Sequence, residues 1–240
     1  MFVNFFGIKF IDISENELIS NFKPGLYVFP SAPGLAMLDK NKEYLKSLQN
    51  ASYVFFDSGY FVLLLKFLKK IKVKKFSGYK FIKFFIKYLK MKRQKIFIIE
   101  SDKNSALINE NFFKKKKIFV INNYISPVYS RKKKIDDKIL LKKIIRLKPK
   151  FILINLGGGI QELLGNYLLE KCNYKPYIIC TGAALSFITR TQAPINNLID
   201  NIYLGWFVRC IFNPFVFVKR YLISARLIKL VFKNKVTIMK

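Results

Sequence analysis

The stretch "KFILINLGGGIQELL", residues 150–164, decides how this chain is read. Its opening run is apolar without alternation, the pattern of a strand buried on both faces of a parallel sheet. A glycine triplet follows, and the residues beyond it read as a helix. At a strand–glycine–helix junction backbone N–H groups are left free, which suits a phosphate or diphosphate. Gly157, Gly158 and Gly159 are therefore candidate binding residues, with a purely structural tight turn as the competing reading. Gln161 and Glu162 stand directly beyond them in a chain that is otherwise strongly basic.

The same grammar repeats in both directions. "LYVF" (26–29), "SYVFF" (52–56), "KIFIIE" (95–100), "KIFVI" (117–121) and "YIICT" (177–181) are further apolar runs, and the start "MFVNFFGIKF" reads as a first strand. Helical patterns lie between them: Phe81, Ile82, Phe85, Ile86 and Leu89 form one stripe while Lys83, Lys87 and Lys90 take the other side. Alternating strands and helices predict an α/β fold, Rossmann-like, with a mostly parallel doubly wound sheet, helices on both faces and a C-terminal helical appendage. Ligands of such sheets sit where strands end and helices begin. There the unusual residues collect, in "FFDSGY" (55–60), in the glycine triplet and in "CTGAALSF" (180–187), whose Gly182 joins the candidate phosphate cradle. The chain has no G-x-x-x-x-G-K-[ST] and no well-placed G-x-G-x-x-G, so P-loop and dinucleotide readings lose ground.

Asp57 is the acid best placed for chemistry, because a lone carboxylate between "YVFF" and "SGY" is otherwise hard to justify. A general base fits that position. The alternative is a helix cap, worth about 0.5–2 kcal/mol. Asp136 and Asp137 fall in a lysine-rich stretch and read as a solvated helix start.

Composition bounds the rest. A chain of 240 residues with 52% hydrophobic content builds a substantial core. Its 44 Lys and Arg against 14 Asp and Glu give a formal charge of +30, which calls for an anionic partner. There is no histidine, and Cys172, Cys180 and Cys210 have neither metal-type nor disulfide-framework spacing, so zinc chemistry, a histidine base and a secreted fold are disfavoured. The N-terminus lacks the basic start and cleavage site of a signal peptide, and no run makes a clean spanning helix of roughly 20 apolar residues.

The segment from 196 to 240 differs from the core expected over 1–195. After Asp200 it has no acid, while Arg209, Lys219, Arg220 and later cations are interleaved with Trp206, Phe207, Phe212, Phe215, Phe217 and Tyr221. That composition describes a membrane-surface segment attracted to anionic lipid. Stacking aromatics and cations also describe a nucleic-acid surface, but the apolar share favours membrane over nucleic acid. A terminal helix pair that merely completes the core, with its cations snorkelling outward, is the third reading.

Taken in order, "NLGGGIQE", "CTGAALSF", "TQAP", "YLGWFVR", "NP" and "KRYL", with "FFDSGY" and "KKFSGYKF" upstream, resemble the motifs of the WecG/TagA/CpsF family of bacterial glycosyltransferases over most of residues 25–222. The resemblance implies a metal-independent enzyme, without cofactor, that moves a sugar such as N-acetylmannosamine or its uronic acid from a UDP donor. The implied acceptor is a polyprenol-diphosphate-linked saccharide at the cytoplasmic face of the bacterial plasma membrane, where the enzyme is peripheral. By the same resemblance Asp57 is the catalytic base and Gln161 the active-site glutamine, while the glycine turn, Glu162 and Gly182 shape the donor pocket. Lys75 matches a diphosphate-holding arginine, and Arg209, Lys219 and Arg220 match the cations of a membrane-associated appendage.

The chain departs from the family pattern at Phe29 and Ser31, at Ser58 after Asp57, at Ser186, at Gln192 and at Gly205. Ser31 stands where a donor or acceptor contact is expected. A non-catalytic basic α/β protein that binds nucleic acid or anionic membrane is the alternative, and homo-oligomerisation is left open.

Overall fold

The structure, a computed structural model, describes residues 1–130, 134–192, 195–203 and 205–239. Its strands are β1 (Phe2–Phe5), β2 (Ile8–Ile11), β3 (Gly25–Val28), β4 (Tyr53–Phe55), β5 (Ile96–Glu100), β6 (Val120–Ile125), β7 (Phe151–Asn155), β8 (Tyr177–Cys180) and β9 (Val236–Met239). They form one nine-stranded sheet in the order β6-β5-β7-β8-β3-β4-β2-β1-β9. Neighbours from β6 to β2 are parallel, and β1 runs antiparallel to both β2 and β9.

Its helices are α1 (Glu15–Ser20), α2 (Ala32–Leu35), α3 (Lys42–Asn50), α4 (Gly59–Lys69), α5 (Gly78–Met91), α6 (Lys103–Lys115), α7 (Lys138–Leu147), α8 (Ile160–Lys171), α9 (Ala184–Ile188), α10 (Asn197–Asn201), α11 (Gly205–Phe212), α12 (Pro214–Leu222) and α13 (Arg226–Lys233). They cover both faces of the sheet, which is why the apolar runs do not alternate. Ile152, Ile154, Val28 and Ile178 point into one core with side chains of α3, α4, α8 and α13. Phe151, Leu153, Tyr27 and Ile179 point into the other with the stripe of α5 and with Phe113 of α6. Each such large side chain contributes roughly 1.5–3 kcal/mol by leaving water. The α/β, Rossmann-like expectation is met.

Three local expectations are corrected. The N-terminal run is a hairpin and not a single strand, because Phe6 (φ 57°) and Gly7 (φ 75°) make a two-residue turn of positive φ between β1 and β2. The strand expected at 117–121 begins only at Val120, since Lys117 (φ 58°) is left-handed and Ile118 N–H still bonds to Phe113 O at the end of α6. Asp137 is buried and not solvated: it caps α7 by accepting Leu140 N–H at 2.8 Å and takes the hydroxyls of Tyr124 and Tyr129 at 2.8 and 2.6 Å.

Beyond residue 196 the chain does two different things. Helices α11 and α12 pack on each other and bury no residue of their own. Helix α13 then buries Leu227, Leu230 and Val231 in the core, and β9 adds itself to the sheet beside β1.

Candidate active site

The parallel strands end along one edge of the sheet, and the residues after β4, β8 and β3 meet there. A cavity of about 720 Å3 lies at this edge and is walled on its outer side by α11 and α12. Its lining includes Ser31, Asp57, Lys75, Ser77, Thr181, Phe187, Asp200, Tyr203, Trp206, Arg209 and Tyr221.

Asp57 enters this cavity two residues past β4. The capping role goes to its neighbour Ser58, whose Oγ accepts Phe61 N–H at 3.2 Å at the start of α4. A glycine in its place would leave that N–H without a side-chain acceptor. Asp57 Oδ1 instead accepts Gly78 N–H at 2.8 Å, at the first residue of α5. Burial pushes its carboxyl up to about 6; Asp200 adds to this, while the Gly78 N–H, Lys75 and Arg209 oppose it. A carboxylate titrating there is a stronger base than an exposed one and is still ionised at neutral pH.

Lys75 Nζ is held by Asp200, at 2.6 Å from both Oδ1 and the backbone oxygen, and lies 5.2 Å from the centre of the Tyr203 ring. Arg209, on α11, lays its guanidinium 4.5 Å from the centre of the Phe187 ring and donates from Nη1 to Tyr221 Oη at 3.2 Å. Thr181 Oγ1, Arg209 Nε and Ser224 Oγ are buried without a hydrogen-bond partner among the described residues, and all three residues line this cavity. Buried polar atoms are normally paired, so these point to a polar ligand. Ser31 lines the same cavity and precedes α2 without using its side chain as a cap.

The glycine turn sits beside this cavity and not in its wall. Of the triplet only Gly159 needs positive φ (94°), and its N–H donates to Glu162 Oε2 at 2.7 Å to close the first turn of α8. Gln161 is buried: Nε2 donates to Glu162 Oε1 at 3.0 Å and to Cys180 O at 3.3 Å, and Oε1 accepts the N–H of Gly182 (φ 65°) at 3.0 Å. Gln161 thus ties the turn after β7 to the turn after β8. Arg220 Nη2 lies 3.4 Å from where a side chain on Gly158 would begin, so this cation stands over the triplet. Burial raises the pKa of the Tyr44 phenol; Glu162 and Asp57 add to that rise, and Arg220 opposes it. Lys219 is exposed and outside the cavity lining.

Ala193 and Pro194 of "TQAP" and Leu204 of "YLGWFVR" lie outside the described residues. Sequence reasoning did not single out Ser77, Thr181, Tyr203 or Ser224 as site residues. Asp200 carried one signal, as the last acid before a wholly basic segment. Among the described residues no group of three His, Cys, Asp or Glu side chains converges as a metal site.

A parallel α/β sheet with a deep, partly polar cavity at its carboxyl edge, a raised carboxylate and facing cations defines a ligand-processing Rossmann-like protein. The chain belongs to the Glycosyl transferase WecG/TagA/CpsF family, whose pattern it matches over residues 3–240. It is thereby a glycosyltransferase of cell-surface polysaccharide synthesis, a class that takes sugar-nucleotide donors and lipid-linked acceptors. No curated protein matches the chain.

Proposed function

We propose that the protein transfers a hexose of the N-acetylmannosamine type from a UDP-sugar to a polyprenol-diphosphate-linked saccharide, with Asp57 as general base and no metal in the reaction. The observation that carries this reading is Asp57 in a cavity that also holds the orphaned polar atoms of Thr181, Arg209 and Ser224. In the proposed step an acceptor hydroxyl oxygen attacks the anomeric carbon, its proton passes to Asp57, and the bond from the anomeric carbon to the phosphate oxygen breaks. UDP departs with that bonding pair. Arg209 and Arg220 supply positive charge toward the leaving diphosphate, and Lys75, with one N–H not taken by Asp200, adds to it. The glycine turn, Gly182 and Glu162 hold the donor-side wall in shape, with Gln161 tying the two turns together.

The protein acts at the cytoplasmic membrane face, held there by α11 and α12. Trp206, Phe207, Ile211, Phe212, Phe215 and Leu222 are exposed on these two helices, and Lys219 stands among them. No described helix is long and apolar enough to cross a membrane. Such a patch with basic rims suits the lipid interface. The 196–222 stretch is then the membrane-associating part of the 196–240 segment. The test is transfer with EDTA present, using a panel of UDP-sugars and a polyprenol-diphosphate-GlcNAc analogue, read as UDP release and product mass. A heavier lipid product identifies the sugar, and absence of both transfer and UDP binding contradicts the proposal.

A further inference from the structure

Asp200 is a second carboxylate in the cavity wall, more deeply buried than the half-buried Asp57, and the reaction proposed above gives it no part. Both of its oxygens are engaged. Oδ1 takes Lys75 Nζ at 2.6 Å and Oδ2 takes the Ser77 hydroxyl at 2.7 Å. The ion pair is deeply buried, with side-chain exposures of 9% for Lys75 and 8% for Asp200. The residue is fixed from its own side as well: Asn196 caps α10 through Ile199 N–H at 2.9 Å, and Lys83 Nζ reaches Asn197 Oδ1 at 2.9 Å.

Lys75 therefore stands in one wall with two carboxylates and pairs with only one of them. Asp57 makes no ion pair within 4 Å among the described residues, and the one hydrogen bond its carboxylate makes there, from Gly78 N–H to Oδ1, leaves Oδ2 without a protein donor. A carboxylate bound directly to an ammonium is a weaker base, and it has an oxygen occupied where a substrate hydroxyl must dock. We propose that Asp200 is the positioning residue of this site: by capturing Lys75, with Ser77 as its second anchor, it keeps the Asp57 carboxylate unpaired and open to the acceptor hydroxyl. This rests on the reading of Asp57 as the base.

The charged groups acting on Asp57 are Lys75 and Asp200 from the loop before α5 and from α10, and Arg209 from α11. The other titratable groups on the cavity wall are the phenols of Tyr60, Tyr79, Tyr203 and Tyr221 and the Cys210 thiol. Without the Asp200 charge, Lys75 turns to the remaining carboxylate, and loss of the repulsion acts in the same direction. Asp57 then becomes the weaker base.

The experiment is a set of pH profiles of kcat for the wild type, Asp200→Asn, Asp200→Glu, Lys75→Gln, the Lys75→Gln/Asp200→Asn pair and Asp57→Asn. Asp200→Asn is expected to lower kcat on the order of 10-fold, part of the 10²–10⁴ a base supplies, and to move the acid limb to lower pH. Asp200→Glu restores part of both. Adding Lys75→Gln to Asp200→Asn returns the limb to the wild-type position or above, which a merely structural role for Asp200 does not predict. Should Asp200→Asn fail to fold, Lys75→Gln alone raises the limb, because Asp57 then faces Asp200 uncompensated. An Asp200→Asn enzyme with an unmoved limb, or a faster one, overturns the inference while leaving Asp57 as the base. Full turnover in Asp57→Asn overturns the base reading itself.

Discussion

The side-chain oxygen of Gln161 accepts the amide N–H of Gly182 at 3.0 Å, and its amide nitrogen bonds to Glu162 and Cys180. One buried side chain thus holds together the two turns that follow β7 and β8. Removing it leaves the Gly182 N–H and one oxygen of the buried Glu162 carboxylate unsatisfied. An unsatisfied buried group costs about 1–3 kcal/mol. Gln161→Ala should lower stability by that amount in denaturant unfolding, and it should weaken donor binding even where the protein still folds.

Asp57 links pH to both rate and stability. Its carboxyl is raised to about 6 in the fold, first by burial. The proposed reaction uses the base form, so kcat/KM should climb as pH rises through about 6 and level off above it. The sign for stability is opposite: a raised carboxyl costs stability above the folded pKa and costs none below the unfolded one. Asp57→Asn keeps an acceptor for Gly78 N–H and carries no charge. Thermal unfolding at pH 8 should find it at least as stable as the wild type, with the gap closing as pH falls through about 6 toward 4.

Arg209 offers a separate handle. Its guanidinium lies over the Phe187 ring and donates to Tyr221, so a lysine keeps the charge but loses the delocalised cation and its fixed donor there. Loss of one group that stabilises a leaving charge costs about 10²–10³ in kcat. Arg209→Ala should fall in that range and Arg209→Lys between it and the wild type, in steady-state transfer assays.

The membrane reading predicts a clean separation of binding from folding. Phe212 and Phe215 are 56% and 95% exposed, so replacing both with serine should leave the unfolding temperature unchanged. Each loses a burial worth roughly 1.5–3 kcal/mol in the lipid interface. Co-sedimentation with anionic liposomes should drop roughly 10²-fold or more, and high salt should weaken what remains.

Much of this was legible in the sequence because parallel strands buried on both faces leave uninterrupted apolar runs. The run 150–155 and the α5 stripe are where the periodicity placed them. The glycine triplet was legible as a turn, but its three residues are unequal, since only Gly159 requires positive φ. What sequence could not give is pairing at a distance. Asp200 meets Lys75 across 125 positions of chain, and Gln161 meets Gly182 across 21. Nor was the basic segment after Asp200 resolved into its two parts: α11 and α12, which have no buried residue, are rich in aromatics, whereas α13 sets Leu227, Leu230 and Val231 at helical spacing and packs them in the core.

The proposed reaction turns on Asp57 taking the acceptor proton. Its most direct test is the single-turnover rate of Asp57→Asn at pH 7.5 with saturating UDP-sugar and lipid-diphosphate acceptor, with UDP binding measured on the same sample. A rate lowered by about 10²–10⁴ with UDP binding retained is the expected result. An undiminished rate would contradict it.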